Sequence, residues 1–354
     1  MGAKPKRRSG QGHASAGLVG SIADRAPDLP VVVVGAGPCG IAAAAALEEA
    51  GMHAVVFDRG CLVSSIAAYP IYMTFFSTAD RIAIADVPFR VESEKPTRRE
   101  ALAYYRGVVD ARGIEVHQYE PVVQVWRRKG DFIVHSKPLG GDVVETKARA
   151  VVVATGYFGS PNTIGVPGED LPHVTHLYHE GHEAFQRDAI VVGGGNSAAE
   201  AALDLQRHGA KVTLVHFGPT FDKNIKPWVL PDVQRGMKNG SIGVRWNTRV
   251  TAIESGRVHL EGKDGPGILP AQHVYLMTGF TPSPELLVSL GVTLDPQSGV
   301  PHHDPATMET NVPQVFIAGV LASGYDANKV FIENGRGHGA LIAGALSAAD
   351  AAVR

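Results

Sequence analysis

The chain has 354 residues, of which 44% are hydrophobic and 19% charged, and its formal net charge is −2. This composition is typical of a globular protein with room for two domains of ordinary size. The near-neutral charge excludes an electrostatic case for nucleic acid or an anionic membrane as partner. No apolar segment is long enough to span a membrane, and two cysteines do not make a secreted disulfide scaffold. We therefore expect a cytoplasmic protein without nucleic-acid or membrane partners.

The chain begins with a segment, residues 1–29, that is basic at first and then rich in Gly, Ser and Ala. We expect it to be a disordered extension. A signal peptide with Val31–Ala46 as its apolar core is the competing interpretation. That stretch contains a glycine motif and runs into Glu48, so a strand followed by a helix explains it better.

The first predicted elements are a buried strand, Val31–Val34, the turn Gly35-Ala36-Gly37-Pro38-Cys39-Gly40, and an alanine-rich helix that runs to about Ala50. A strand, a glycine turn and a helix in this order form a dinucleotide-binding fingerprint. The glycines permit the tight turn, the close approach of a pyrophosphate and the packing of the helix. The start of the helix then offers unpaired N–H groups to the phosphates.

A second strand, His53–Phe57, is predicted to end at Asp58. A carboxylate at this distance from the fingerprint reaches the ribose hydroxyls of an adenine nucleotide. The segment 61–94 that follows has little regular periodicity, and long ordered loops tend to be functional. The next predicted elements, in chain order, are a helix at Arg98–Arg112, strands at Val122–Trp126 and Asp131–Ser136, a buried run at Ala150–Ala154 with Thr155-Gly156 after it, and a linker at Ser160–Leu171.

A second fingerprint follows at Ala189–Val192 with Gly193-Gly194-Gly195-Asn196-Ser197-Ala198-Ala199-Glu200. Its unit occupies about residues 187–278. The remaining predicted elements are a strand at Lys211–Val215, a closing run from Val274 to Gly279, a link at Phe280–Pro284, a late strand at Val315–Ile317 and a helix at Ala340–Val353. We therefore predict an α/β fold with two Rossmann-like domains, one for FAD (30–165 and 280–354) and an inserted one for NADPH (166–279).

The two units differ in the residue at the end of their second strand, which is the position that contacts the ribose of a bound nucleotide. In the first unit this residue is Asp58, which favours a free 2′-hydroxyl, as in FAD. In the second unit the strand ends at His216 without a carboxylate, and Lys223 lies close downstream. His216 or a lysine could pair with a 2′-phosphate, so we expect NADPH there rather than NADH. Solvated side chains without that role are the alternative.

Several later blocks carry a resemblance that the glycine motifs alone do not. They are Tyr69-Pro70, Thr74–Thr78, Pro96–Arg106, Lys226–Pro231, Ile317–Val320, Asp326–Asn328 and Phe331–Gly335. Together with Gly-Ala-Gly-Pro-Cys-Gly, they resemble the bacillithiol disulfide reductase family from about residue 30 to the C-terminus. The resemblance implies a thioredoxin-reductase-like fold, FAD, NADPH, and reduction of the disulfide of a low-molecular-weight thiol, bacillithiol, alongside bacilliredoxins. We also expect a homo-oligomer.

The resemblance and the two fingerprints together give the expected cofactor contacts. For FAD they are Gly35, Gly37, Pro38, Gly40, Asp58, Arg59, Thr74, Phe75, Ser77, Val123, Ala154, Thr155, Gly156, Gly319, Glu333 and Asn334. For NADPH they are Gly193, Gly195, Asn196, Ser197, Ala198, Glu200, His216, Lys223, Thr278 and Gly279. The scattered histidines match no recognised zinc spacing, so we expect no metal.

Thioredoxin reductases carry a Cys-x-x-Cys pair in the second domain, and this chain has no cysteine there. An internal dithiol relay is therefore excluded. Many relatives have Gly-Asp at the late flavin strand, where this chain has Gly319-Val320, a feature that the bacillithiol-type proteins share.

The resemblance suggests a redox role for Cys39, whose thiol at a helix N-terminus could ionise and attack a disulfide. A nearby pyrophosphate would oppose that ionisation. Cys39 is thus either the catalytic cysteine or a small packing residue, and Cys61 has no matching role.

Three other functions are compatible with the two fingerprints. A flavin monooxygenase would usually carry a Phe- and Gly-containing motif before the second fingerprint, which residues 171–177 lack. A ferredoxin- or flavodoxin-NADP reductase would need a basic docking face, and none is evident. A redox sensor that holds FAD without turnover is the non-enzymatic alternative.

Overall fold

The computed structural model describes residues 29–223, 225–263, 265–326 and 329–353. The expected N-terminal extension, up to residue 28, and the Ala327-Asn328 pair lie outside the described residues. No helix in the described ranges has the length and apolar character needed to cross a membrane.

Helices and strands alternate at the start of each fingerprint unit, and a run of consecutive strands follows in each case. The strands are β1 Val31–Val34, β2 Ala54–Phe57, β3 Glu115–His117, β4 Val122–Arg128, β5 Asp131–Ser136, β6 Val144–Ala148, β7 Ala150–Val153, β8 Val174–Thr175, β9 Asp188–Val192, β10 Lys211–Val215, β11 Ile242–Arg245, β12 Thr248–Glu254, β13 Gly256–Gly262, β14 Gly265–Ala271, β15 His273–Leu276 and β16 Val315–Ile317. The α-helices are α1 Pro38–Glu49, α2 Ser64–Ala67, α3 Ala79–Ile82, α4 Arg98–Arg112, α5 Asn196–Arg207, α6 Leu230–Lys238, α7 Glu285–Ser289, α8 Ile332–Gly335 and α9 His338–Val353.

Two parallel sheets organise the chain, and four of the five strands in each follow the same order. The first has the strand order β16-β7-β1-β2-β3, and the second has the order β11-β10-β9-β15-β8. In each sheet the fingerprint strand lies between the strand that follows it and the later strand that closes the unit. The late strand β16 pairs with β7, so the chain returns to the first sheet after completing the second.

Both fingerprint strands are buried because parallel sheets are covered on both faces. All four valines of β1 are buried, and so is the all-apolar β7 beside it. Helix α1 has alanine at five consecutive positions and packs closely on α9. This small-residue contact holds the C-terminal helix close against α1.

Two antiparallel sheets of three strands each, β4-β5-β6 and β12-β13-β14, accompany the parallel ones. The sequence predicted β5 with both of its bounds and β4 two residues too short. It did not predict the β12-β13-β14 sheet. The last strand of that sheet contains two prolines and two glycines, which lower strand propensity and are tolerated at a sheet edge.

The two linkers that join the parallel sheets run side by side and are tied together at Asn162. Its backbone N–H donates to the carbonyl of Gly279 at 3.0 Å, and its carbonyl accepts from Thr278 Oγ1 at 2.5 Å. Its side-chain amide oxygen accepts from Thr281 Oγ1 at 2.6 Å. The predicted linkers are thus a hydrogen-bonded pair.

Candidate functional site

The first glycine turn leaves an open cradle at the start of α1. Gly35 has a φ of +114°, and a Cβ there would overlap the carbonyl oxygen of Ala154, so only glycine fits. Nothing lies within 4 Å of the position that a Cβ on Gly37 would take. Gly37 is the N-cap of α1 and makes no side-chain cap bond, and Pro38 follows it inside the helix. The first N–H groups of α1 therefore face space that a pyrophosphate can fill.

Asp58 lies at the end of β2, where the sequence predicted a ribose-binding carboxylate. Its Oδ2 accepts from the N–H of Ala36 at 2.7 Å, and its Oδ1 accepts from the N–H of Gly60 at 2.8 Å. The carboxylate therefore fixes the glycine turn to the end of β2. The neighbouring Arg59 extends over Gly159, which has no side chain in the way.

The structure brings together the two segments that were expected near the flavin. Ser77 Oγ donates to the Glu333 carboxylate, and Phe76 contacts Phe331 edge-on with ring centres 5.7 Å apart. Phe75 is held by its N–H, which donates to the carbonyl of Pro96 at 2.9 Å.

The other expected FAD contacts differ in their surroundings and exposure. The side chain of Asn334 is engaged locally, since its Oδ1 accepts from the N–H of Phe331 at 2.8 Å. Gly156 has a φ of +65° and open space beside it. Thr74 pairs with Thr97 in an isolated bridge, and Val123 is exposed on β4.

Cys39 lies beside Gly37 at the start of α1, with its thiol in a notch between two glycines. A Cβ on Gly319 would lie 3.2 Å from its Sγ, and a Cβ on Gly335 would lie 2.9 Å from it. Burial raises the pKa of the Cys39 thiol to about 12. The thiol is therefore neutral at physiological pH, even at a helix N-terminus.

The second glycine turn repeats the geometry of the first. Gly193 has a φ of +145°, and a Cβ there would overlap the carbonyl oxygen of Met277, the counterpart of Ala154. Gly195 is the N-cap of α5 without a side-chain cap bond. A cleft of about 690 Å³ opens over this turn, which is within the size range of small-molecule sites. Among the residues that line it are Gly193, Gly195, Asn196, Ser197, His216, Lys223, Thr278 and Gly279.

The surroundings of His216 differ from the sequence expectation. Its side chain is only 3% exposed, and its Nε2 lies 3.4 Å from a carboxylate oxygen of Asp222. A carboxylate is thus present at this strand end, although it comes from a loop and not from β10.

Two other residues expected to contact NADPH lie in α5. Glu200 is paired with Lys226 at 2.7 Å, and Ala198 is buried.

Sequence reasoning missed several of the residues that line the cleft, among them Tyr157, Phe158, Arg249 and Tyr325. Tyr157 and Phe158 directly follow Gly156 of the first unit, so the cleft over the second glycine turn reaches the closing loop of the first unit. No motif marks these residues, because they come from separate parts of the chain that meet only in the folded protein.

Both cradles fit the groups that the sequence predicts. Each has an uncapped helix N-terminus and a glycine without which the turn could not form. The space beside Gly37 is open, and the cleft over Gly195 has Asp222 Oδ2 at 3.8 Å from the position that a Cβ would take. Among the described residues, no cluster of metal-ligating side chains occurs.

Comparison with known proteins places this geometry in a family. The pyridine nucleotide-disulphide oxidoreductase family matches residues 32–319. Bacilliredoxin reductase Bdr of Bacillus subtilis is 40% identical over 322 residues, which cover 89% of this chain and 97% of that protein. The chain therefore belongs to the pyridine nucleotide-disulphide oxidoreductase family.

Solved structures agree with this assignment. Bacillithiol disulfide reductase Bdr from Bacillus cereus is similar with a TM-score of 0.88 at 39% identity, covering 90% of this chain and 99% of that one. A thioredoxin reductase of Lactococcus lactis, at 21% identity and a TM-score of 0.71 over 92% of this chain and 99% of that one, shares the fold. The resemblance to the bacillithiol disulfide reductase family and the thioredoxin-reductase-like fold are thus confirmed.

Family membership implies an oxidoreductase with FAD and NADPH as cofactors. The alternatives considered from the sequence are less supported. A ferredoxin–NADP reductase and a flavin monooxygenase are also similar to this chain, but at lower identity than the Bacillus subtilis relative.

Proposed function

We propose that this protein uses NADPH to reduce the disulfide of a low-molecular-weight thiol, and that bacillithiol disulfide is its substrate. One observation carries the proposal: the cleft over the second glycine turn is lined by Tyr157 and Phe158, which directly follow the Thr155-Gly156 turn of the first unit. A nicotinamide in this cleft would therefore lie toward the flavin domain. The names of the Bacillus subtilis and Bacillus cereus relatives support the substrate.

The overall reaction consumes one NADPH, one proton and one disulfide, and it yields NADP⁺ and two thiols. Bound FAD supplies the two-electron relay between the nicotinamide and the disulfide. The chain supplies the two helix N-termini for the pyrophosphates and the carboxylate of Asp58 for a ribose. The closing loops at Thr155-Gly156 and Thr278-Gly279 complete the two sites.

The cysteines support a small diffusible disulfide over an internal relay. Cys39 and Cys61 are both unpaired thiols, and no cysteine lies in the second unit. Unpaired thiols are also typical of a reducing compartment, so we propose that the protein is cytoplasmic.

We propose a bacilliredoxin as the downstream protein partner and a homo-oligomeric assembly. We also propose a division into an FAD domain (30–165 and 280–354) and an NADPH domain (166–279).

Steady-state NADPH consumption against a panel of disulfides tests the function. We expect turnover with bacillithiol disulfide and release of two thiols for each NADPH oxidised. The panel should include glutathione disulfide and oxidised thioredoxin as comparisons. NADPH oxidation that depends only on oxygen, or that tracks the reduction of a flavodoxin, would contradict the proposal.

We further propose that Cys39 is a packing residue in the resting protein. With its pKa raised to about 12, the thiol has almost no thiolate at neutral pH, and the thiolate is the nucleophile. In a Cys61→Ser variant, iodoacetamide should therefore leave the folded protein unlabelled near neutral pH. After unfolding, the thiol regains a pKa of about 8.5 and should react.

The Cys39→Ser variant separates the two roles of this residue. We expect it to keep its FAD and to turn over disulfide within about threefold of the unsubstituted protein, a change in barrier of less than about 1 kcal/mol. A loss of more than about a hundredfold (about 2.7 kcal/mol) with FAD retained would instead make Cys39 the redox residue.

A further inference from the structure

Two exposed cations, Lys223 and Arg249, line the second cleft. Within the described ranges, neither is joined to a carboxylate by an ion pair. One of the two could therefore distinguish NADPH, which carries a 2′-phosphate, from NADH, which does not.

His216 is poorly placed for this role, although it ends the strand that usually reads the ribose. Its ring is packed beneath the glycine turn, so that a Cβ on Gly194 would overlap it. Its Nε2 faces the Asp222 carboxylate at 3.4 Å, and its Nδ1 is buried. The position after it is Phe217, which has no charge. A phosphate brought to His216 would also meet the negative charge of Asp222.

Arg249 is brought to the same place by a different strand. The N–H of Thr248, the first residue of β12, donates to the carbonyl of His216 at 3.0 Å. The next residue along, Arg249, extends over the ring of Phe217 with its guanidinium carbon 4.7 Å from the ring centre. Phe217 is 60% exposed. Both Phe217 and Arg249 line the cleft.

The contact with Phe217 leaves the guanidinium N–H groups available. An aromatic face attracts the cation and limits its rotation, but it accepts none of the in-plane N–H groups. A planar guanidinium can give two parallel hydrogen bonds to one phosphate, which a lysine ammonium cannot match. Lys223 is a point charge on a flexible stem in a loop beside Asp222.

We propose that Arg249, held on the ring of Phe217, receives the 2′-phosphate of NADPH and selects NADPH over NADH. This assignment rests on the use of NADPH and not on the identity of the disulfide. Arg245 provides a matched control, because it is an exposed arginine at the end of the neighbouring strand β11 and does not line the cleft.

The test measures binding of NADP⁺ and NAD⁺ to the FAD-loaded protein by calorimetry. Arg249→Gln should weaken NADP⁺ binding by about tenfold to a hundredfold, which corresponds to loss of one or two charge-assisted hydrogen bonds. NAD⁺ binding should stay within about twofold, below 0.5 kcal/mol. Arg245→Gln should change neither, and Arg249→Lys should recover part of the NADP⁺ affinity.

Other results overturn the assignment. NADP⁺ binding that is unchanged by Arg249→Gln but lost in Lys223→Gln would move the role to Lys223. Equal weakening of NADP⁺ and NAD⁺ would show a general effect on the cleft. Failure of the unsubstituted protein to bind NADP⁺ would overturn both this assignment and the NADPH use on which it rests.

Discussion

Replacing Gly37 with alanine is expected to give a folded protein that has lost its FAD. No atom lies within 4 Å of the position that the new methyl group would take, so the fold has room for it. The same space is where a pyrophosphate would approach the N–H groups of α1. Losing one or two hydrogen bonds to a charged phosphate costs about 3 kcal/mol, which lowers FAD affinity by about a hundredfold.

The measurement is the ratio of flavin to protein absorbance after purification, together with the far-ultraviolet circular dichroism. Gly107→Ala is the matched control, since Gly107 also has nothing within 4 Å but lies on the surface of α4. It should keep a full complement of FAD. A Gly37→Ala protein that retains FAD would mean that the pyrophosphate does not lie at this turn.

Replacing Gly339 with alanine is expected to destabilise the fold, because α9 crosses α1 there with no space between them. A Cβ on Gly339 would lie 2.7 Å from Ala43 Cα and 2.8 Å from the carbonyl oxygen of Ala42. These are backbone atoms, so the helices must move apart. Overpacking of this kind costs about 1–3 kcal/mol. Chemical denaturation should show this loss in the free energy of unfolding.

The same helix provides the control for that prediction. Gly344 has nothing within 4 Å of its potential Cβ and is exposed. Gly344→Ala should therefore stabilise the protein by about 0.5–1 kcal/mol through helix propensity. If both variants were stabilised equally, the close contact between α1 and α9 would be contradicted.

The sequence predicted those elements whose ends are marked by local chemistry. Helix α4 has both predicted bounds, because Thr97 and Glu100 form a capping box at its start and Gly113 ends it with a φ of +60°. Helix α9 begins at His338, two residues before the predicted start, because a His-Gly pair carries no start signal. The edge strand β14, with its prolines and glycines, has no strand pattern that a local analysis could detect.

The candidate site was predictable where the backbone decides it and not where tertiary packing does. The glycine turns at Gly35 and Gly193 follow from a strand, a turn and a helix in sequence order. The burial of His216 depends on a glycine turn packed over it and on Asp222 from a later loop. Arg249 reaches the same strand end from β12 and was not predicted, because 33 residues separate it from His216.

An anaerobic titration tests most directly whether this chain carries reducing equivalents from NADPH through FAD to a disulfide. Addition of one equivalent of NADPH should bleach the visible flavin band. Addition of one equivalent of bacillithiol disulfide should then restore the band and release two thiols. A flavin that stays oxidised under NADPH, or that stays reduced in the presence of the disulfide, would contradict the account.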